Sequence, residues 1–374
     1  MSRQSELAQL GRVFDTGPLS NRNLIINGAM QVAQRGTSKT GIVSSSTSFP
    51  TCDRVKFWNA GGAGPTYTVT QATDAPDGFK YSWKIETTTA DSSIPAAHYS
   101  LLRLGLIEYQ DTRGLAYGTS SAKKTTLSFW VKSSIAGDQD FVLASHGSIQ
   151  RHHGQTLTIN SANTWEYKTF VFDGDTDTTN TPDSELDNKM HLTIDFRITA
   201  GSDYQGGTLP SSWGARSNDE TSNNSLQIGS TLNATFQITG VQLEVGDTAT
   251  PFEHRSYADE LARCRRYLYR INGNSDDQTA IAPGYFYGTT TLRVCLHFPV
   301  EMRTTPTASA DNSYLDVLRD ATNDTSVTLG STLDESPYST NINITGVAST
   351  TIGEGGILRL SNNTSAYIQF DAEL

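Results

Sequence analysis

"HLTIDFRIT", residues 191–199, alternates without a fault. Leu192, Ile194, Phe196 and Ile198 fall on one face; Thr193, Asp195, Arg197 and Thr199 fall on the other. Successive side chains of a strand point to opposite faces, so this period of two marks a strand with one face in a core. The pattern recurs in both directions along the chain. "TLSFWVK" (126–132) sets Leu127, Phe129 and Val131 inward and leaves Ser128, Trp130 and Lys132 opposite. "FQITGVQLEV" (236–245) alternates through Phe236 and Ile238, then resumes on the other parity at Val241, Leu243 and Val245. The change at Gly240 predicts a β-bulge. Gly-, Asn- and Asp-rich stretches between the runs supply turns, and residues 21–255 read as an antiparallel two-sheet sandwich.

Further along, "TLRVCLHF" (291–298) puts Leu292, Val294, Leu296 and Phe298 on one face, and "AYIQFDAEL" (366–374) alternates to its last residue. Pro299 and Pro306 punctuate the stretch between them, as at a strand exit. Residues 271–374 form a second, smaller β-domain on this reading. "SYADELARCRRYLYR" (256–270) interrupts with helix grammar: Ser256 as N-cap, Asp259 three residues on, acids at the start and arginines at the end. Tyr257, Leu261, Cys264, Leu268 and Ile271 follow the alternating four-and-three spacing of a heptad seam. That seam predicts a joint where three chains meet, the alternative being an amphipathic helix lying on its own sandwich. Residues 1–20 carry Leu7, Leu10 and Phe14 at helical spacing, either an arm that orders on a partner or a frayed terminus. The expected class is all-β: a jelly-roll-like β-sandwich, a short helix and a smaller C-terminal β-sandwich.

The 374-residue chain carries a formal net charge of −11 and a mean hydropathy of −0.41. It lacks the basic footprint that phosphate binding needs, so nucleic acid is not an expected partner. No apolar run reaches membrane-spanning length, and residues 1–17 lack a signal-peptide hydrophobic region, so membrane insertion and ordinary secretion are not expected. Cys52, Cys264 and Cys295 include no CxxC pair and read as reduced core thiols.

Catalytic signatures are absent: there is no GxSxG, P-loop or HExxH. Asp173, Asp175 and Asp177 have calcium-loop spacing, but Thr178 replaces the turn glycine and Ser184 the closing glutamate, so a solvated loop is expected and no metal or cofactor. His146, His152 and His153 read as surface histidines, since neighbours on a strand face opposite ways. Trp58, Trp83, Trp130 and Trp165 lie in strand-like runs and read as packing. Trp213 lies in a Gly/Ser-rich loop near Tyr204. Aromatic rings on loops suit the C–H faces of sugars, so these two are the first glycan-binding candidates, followed by Tyr285, Tyr287, Tyr314 and Tyr338.

Three stretches together resemble one family. "NRNLIINGAMQVAQRGTS" (21–38) is similar to the opening strand of tailed-bacteriophage tail-fibre or receptor-binding proteins with a carbohydrate-binding-module-like jelly roll. "ITGVQLEVGDTATPFEHRSYADELARCRRYLYR" (238–270) resembles their closing strand and hinge, and "FPVEMRTTPT" (298–307) with "DAEL" (371–374) resembles their distal β-domain. The resemblance implies a homotrimeric virion appendage that touches host surface polysaccharide, made in the host cytoplasm and assembled into particles. It implies no catalytic residue. The expectation is a non-enzymatic adhesive fibre, joined to other virion proteins through residues 1–20. A capsid or tail decoration protein without a receptor role, and a polysaccharide depolymerase, are the alternatives.

Overall fold

The computed structural model describes residues 21–179, 187–218, 221–222, 225–320, 322–325 and 327–374. Leu7, Leu10 and Phe14 lie outside them. Two units divide the chain, 1–260 and 261–374.

The strands of the first unit are β1 (Ser38–Ile42), β2 (Ser46–Ser48), β3 (Lys56–Ala60), β4 (Thr66–Ala72), β5 (Ser82–Thr89), β6 (Tyr99–Glu108), β7 (Thr125–Ser133), β8 (Gly137–His146), β9 (Gln150–Ile159), β10 (Glu166–Phe172), β11 (Met190–Ala200), β12 (Gly214–Ala215) and β13 (Thr235–Val245). Among the described residues they form two antiparallel sheets, β1-β4-β5-β13-β7-β10 and β12-β9-β8-β11-β6-β3-β2. The order is a jelly-roll-like sandwich. Phe196 of β11 packs on Phe141 at 4.8 Å, on Phe129 of the other sheet at 5.7 Å and on Phe236 at 5.9 Å. Phe57 meets Tyr67 and Trp83 across the same gap. These rings, with Leu127, Val131, Leu143, Ile194 and Ile238, make one core.

The expected bulge is present. The β13–β7 register slips between Thr239 and Gln242, Gly240 has φ +63, and a Cβ there would stand 2.7 Å from the Phe79 ring. The opening segment differs from expectation: residues 22–35 form no strand. Asn27 folds them into turns, its side chain donating to the Val32 and Asp53 carbonyls and accepting from the Val32 amide. The segment is clasped by the end of the same unit. Glu253 accepts the Asn23 amide at 3.0 Å, Arg255 donates to the Ile25 carbonyl at 3.0 Å, and Glu260 accepts the Asn27 amide at 2.6 Å.

The second unit comprises β14 (Leu268–Asn272), β15 (Thr279–Gly288), β16 (Thr291–His297), β17 (Thr307–Ala310), β18 (Leu315–Arg319), β19 (Thr322–Thr325), β20 (Thr328–Leu333), β21 (Ser339–Thr345), β22 (Gly355–Leu360) and β23 (Tyr367–Asp371). They form sheets β14-β23-β17 and β19-β18-β22-β15-β16-β21-β20 around Phe286, Val294, Leu315, Ile344, Leu358 and Phe370.

The helix is shorter than its sequence suggests. It runs Tyr257–Arg265, with the Asp259 amide donating to Ser256 Oγ at 3.2 Å and the Ser256 hydroxyl donating to the Asp259 carboxylate at 2.6 Å. The chain then turns, the Tyr267 amide bonding to the Cys264 carbonyl, and enters β14, where Leu268 pairs with Asp371 and Ile271 with Ile368. The proposed seam is therefore corrected: Leu268 and Ile271 are strand residues and do not share a helical face with Tyr257, Leu261 and Cys264. As a strand paired with β23, the segment alternates and lays Tyr269 and Ile271 against the second core opposite Phe370 and Ile368. Cys264 and Leu268 are fully buried, while Tyr257 is 57% exposed. The thiols divide as well. Cys52 and Cys264 are buried, but Cys295 is exposed, because β16 turns Leu292, Val294 and Leu296 inward and Cys295 out.

Candidate functional site

The polar face of "HLTIDFRIT" is not a solvent face. Asp195 is 6% exposed and Thr193 fully buried. Asp195 and Arg197 help to line a cleft of about 420 Å³ on the first unit's seven-stranded sheet, β12-β9-β8-β11-β6-β3-β2, on its side away from the core. Cross-strand register assembles its floor. Arg103 of β6 lies between Lys56 of β3 and Asp195 of β11, and Leu101 lies between Trp58 and Arg197. Asp140, Val142 and His146 of β8 and Gln150 and His152 of β9 extend it, and Tyr204, Leu209 and Arg216 of the segment after β11 wall one side.

Trp58, Tyr99 and Tyr204 border the space. Trp58 carries Lys56 and Arg103, each with its charge 4.7 Å from the ring centroid. Tyr99 and Tyr204 stand 4.8 Å apart, with the Arg197 guanidinium 5.3 and 5.1 Å from their centroids. Cations laid on ring faces in a low-dielectric groove hold both partners in one orientation.

Both carboxylates are engaged. Asp195 accepts two hydrogen bonds from Arg103, at 2.8 and 2.6 Å. Burial pushes its carboxyl up, but the Arg103 charge and hydrogen bonds outweigh this and hold it below the usual carboxylate range. Asp140 accepts from Thr156 Oγ1 and the Ser222 amide, each at 2.7 Å. Burial, with the Arg103 charge behind it, pushes His146 down to about 3, so its ring is neutral. It sits 3.0 Å from Thr193 Oγ1 and 3.2 Å from Gln150 Nε2. The cleft thus offers ring faces, guanidinium groups and neutral hydrogen-bonding groups around a locked ion pair.

Of the sequence candidates, Tyr204 lines this cleft. Trp213 does not. It packs against the core, edge-on to Tyr117 at 5.5 Å and to His153 at 5.9 Å, and its indole N–H donates to the Asp173 carbonyl at 2.6 Å. Tyr285 and Tyr287 stand exposed on β15, with Arg293 3.8 Å from the Tyr287 centroid. Tyr314 packs against the second core, and Tyr338 is 58% exposed in the turn before β21. These four do not converge.

Trp58, Tyr99, Arg103 and Arg197 are site residues that the sequence reading passed over. The available signal was parity, since each belongs to the face opposite the core residues of its strand. His152 and His153 do face opposite ways, but both are 3% exposed rather than superficial, His152 in the cleft and His153 against Phe172. The aspartate loop is also partly internal. Asp175, 1% exposed, receives Arg151 at 3.0 Å, and Arg151 also reaches Asp177 at 2.6 Å. Among the described residues no three His, Cys, Asp or Glu side chains are placed to hold a metal ion, and no helix is long and apolar enough to cross a membrane.

No protein-family model matches the chain, and no curated protein matches it. Solved structures similar to it include the enzymatically active domain of bacteriophage CBA120 tailspike protein 4, at 12% identity and a TM-score of 0.31 over 60% of this chain. The chain covers 21% of that domain's length. The family 11 carbohydrate-binding module of the Clostridium thermocellum cellulase Lic26A-Cel5E matches 57% of this chain and 100% of its own, at 13% identity and a TM-score of 0.28. TmCBM61 in complex with β-1,4-galactotriose matches 60% of this chain and 100% of its own, at 10% identity and a TM-score of 0.27.

Proposed function

We propose that the protein is a non-enzymatic adhesive component of a tailed-phage particle, and that it holds host-surface polysaccharide in the cleft of the seven-stranded sheet. The observation that carries the reading is the cleft itself: Trp58, Tyr99 and Tyr204 around a floor of fixed hydrogen-bonding side chains. Sugars present apolar C–H faces and rims of hydroxyls, which is the mixture this lining complements. The Asp195–Arg103 pair supports a non-enzymatic reading of the cleft. Glycoside hydrolysis needs one carboxyl protonated as acid, whereas Asp195 is held ionised against Arg103. The virion setting and assembly as a homotrimer rest on the resemblance of residues 21–38 and 238–270 to phage fibres, and attachment through residues 1–20 rests on the helical spacing of Leu7, Leu10 and Phe14. A trimer would have three times the 40.6 kDa mass of the chain by light scattering.

Replacing Tyr99 and Tyr204 together by Ala tests the cleft. Retention on purified host-surface polysaccharide should fall at least ~10-fold, on the scale of two lost aromatic contacts. Unchanged retention by the folded double variant would remove the cleft from the account.

A further inference from the structure

The opposite side of the sandwich carries aromatic rings that its core does not use. β7 and β10 pair so that Tyr167 lies directly across from Trp130, with ring centroids 5.3 Å apart at 50°. Their neighbours Phe129, Val131 and Phe170 turn the other way, into the core, to which Trp130, Trp165 and Tyr167 do not belong. Tyr167 is 46% exposed. Trp165 precedes β10 by one residue on the same side as Tyr167, about 7 Å along the strand direction. Cross-strand pairing accounts for Trp130 and Tyr167. It does not account for Trp165, which a polar group fixes instead. The Trp165 indole N–H donates to Asp74 at 3.1 Å, while the other Asp74 oxygen receives Lys132 at 2.6 Å and Gln237 at 3.3 Å.

We propose that Trp130, Trp165 and Tyr167 form a second, shallow binding platform for the pyranose rings of a neutral polysaccharide, independent of the cleft. Three flat rings, held in place by a strand pair and a hydrogen-bonded carboxylate, suit sugar C–H faces and span about a disaccharide. Asp74 and Lys132 neutralise each other at the rim, with the Lys132 ammonium 5.7 Å from the Trp165 ring centroid, so nothing selects a charged ligand. The patch is too small for a protein partner. A stable protein interface takes about 20–30 residues a side, and here the rings give way to Ser128, Thr169 and Lys84 on neighbouring positions of the same sheet.

The test uses the full-length chain and soluble neutral polysaccharides, a β-glucan and a xylan among them, with gel retardation in moderate and high salt. In the Tyr99→Ala/Tyr204→Ala background, which disables the cleft, residual retention by at least one polysaccharide should persist and resist salt. Adding Trp165→Ala, which leaves the Trp130–Tyr167 pair intact, should weaken that residual binding at least ~10-fold, and Tyr167→Phe, which keeps the ring, should leave it in place. If the cleft variant retains no neutral polysaccharide, or if Trp165→Ala leaves its retention unchanged, the platform is not a binding site and the three aromatics serve strand pairing alone.

Discussion

His191 is 1% exposed, its Nδ1 2.6 Å from Thr112 Oγ1 and its ring edge-on to Tyr109 and Tyr117. Burial pushes it down to about 4, and His146 lies lower still, at about 3. In the unfolded chain both titrate near 6.5. Between those values the unfolded state binds protons that the folded state refuses, so stability is complete above pH 6.5 and is lost as pH falls toward 4. Asp195, with its depressed value, adds a further loss that sets in near 3.8, below this window. Melting temperatures recorded from pH 7.5 to pH 4 should decline steadily below 6.5, and a flat profile would mean that these rings are solvated. Trp213 gives a second prediction at this scale. Its contacts are to Tyr117, His153 and a backbone carbonyl, so Trp213→Ala should cost about 2 kcal/mol of stability and leave polysaccharide retention intact. Loss of retention at unchanged stability would return Trp213 to the ligand.

Among the elements, the strands with a strict period of two were readable from sequence, because alternation depends only on neighbours along the chain. β11, β7 and the slip at Gly240 all have that character. The cleft was not readable in the same way. Tyr99, Arg103, Asp195 and Trp58 converge through the pairing of β3, β6 and β11, and register between strands so far apart in sequence leaves no local mark. Tyr204 was found because loop aromatics draw attention, whereas a tryptophan in a strand reads as packing whichever face it occupies. The helix was overextended for a related reason: "RYLYRIN" suits helix and strand alike, and the partner that decides, β23, is the last strand of the chain. This makes Leu268 a test of the corrected boundary. Leu268→Asp buries a charge directly opposite Asp371, and should destabilise the second unit by roughly 3 kcal/mol or more. If Leu268→Asp left stability unchanged, Leu268 would not be the buried strand residue described.

At the scale of the whole molecule, an acidic chain with a net charge of −11 gains nothing from long-range attraction to an anionic cell surface, so the proposed adhesion would have to come from close contact. On the proposed function that contact lies on sheet faces, where rigid strands hold the side chains, and the two cores serve stability. Salt should therefore alter retention on polysaccharide only modestly. The most direct test of the central claim is a hydrogen-exchange footprint of the full-length protein with and without saturating host-surface polysaccharide. Added protection is expected in β6, β8 and β11 and around Tyr204 and Arg216, the segments that line the cleft. Protection confined to the second unit, with those segments unchanged, would contradict the claim.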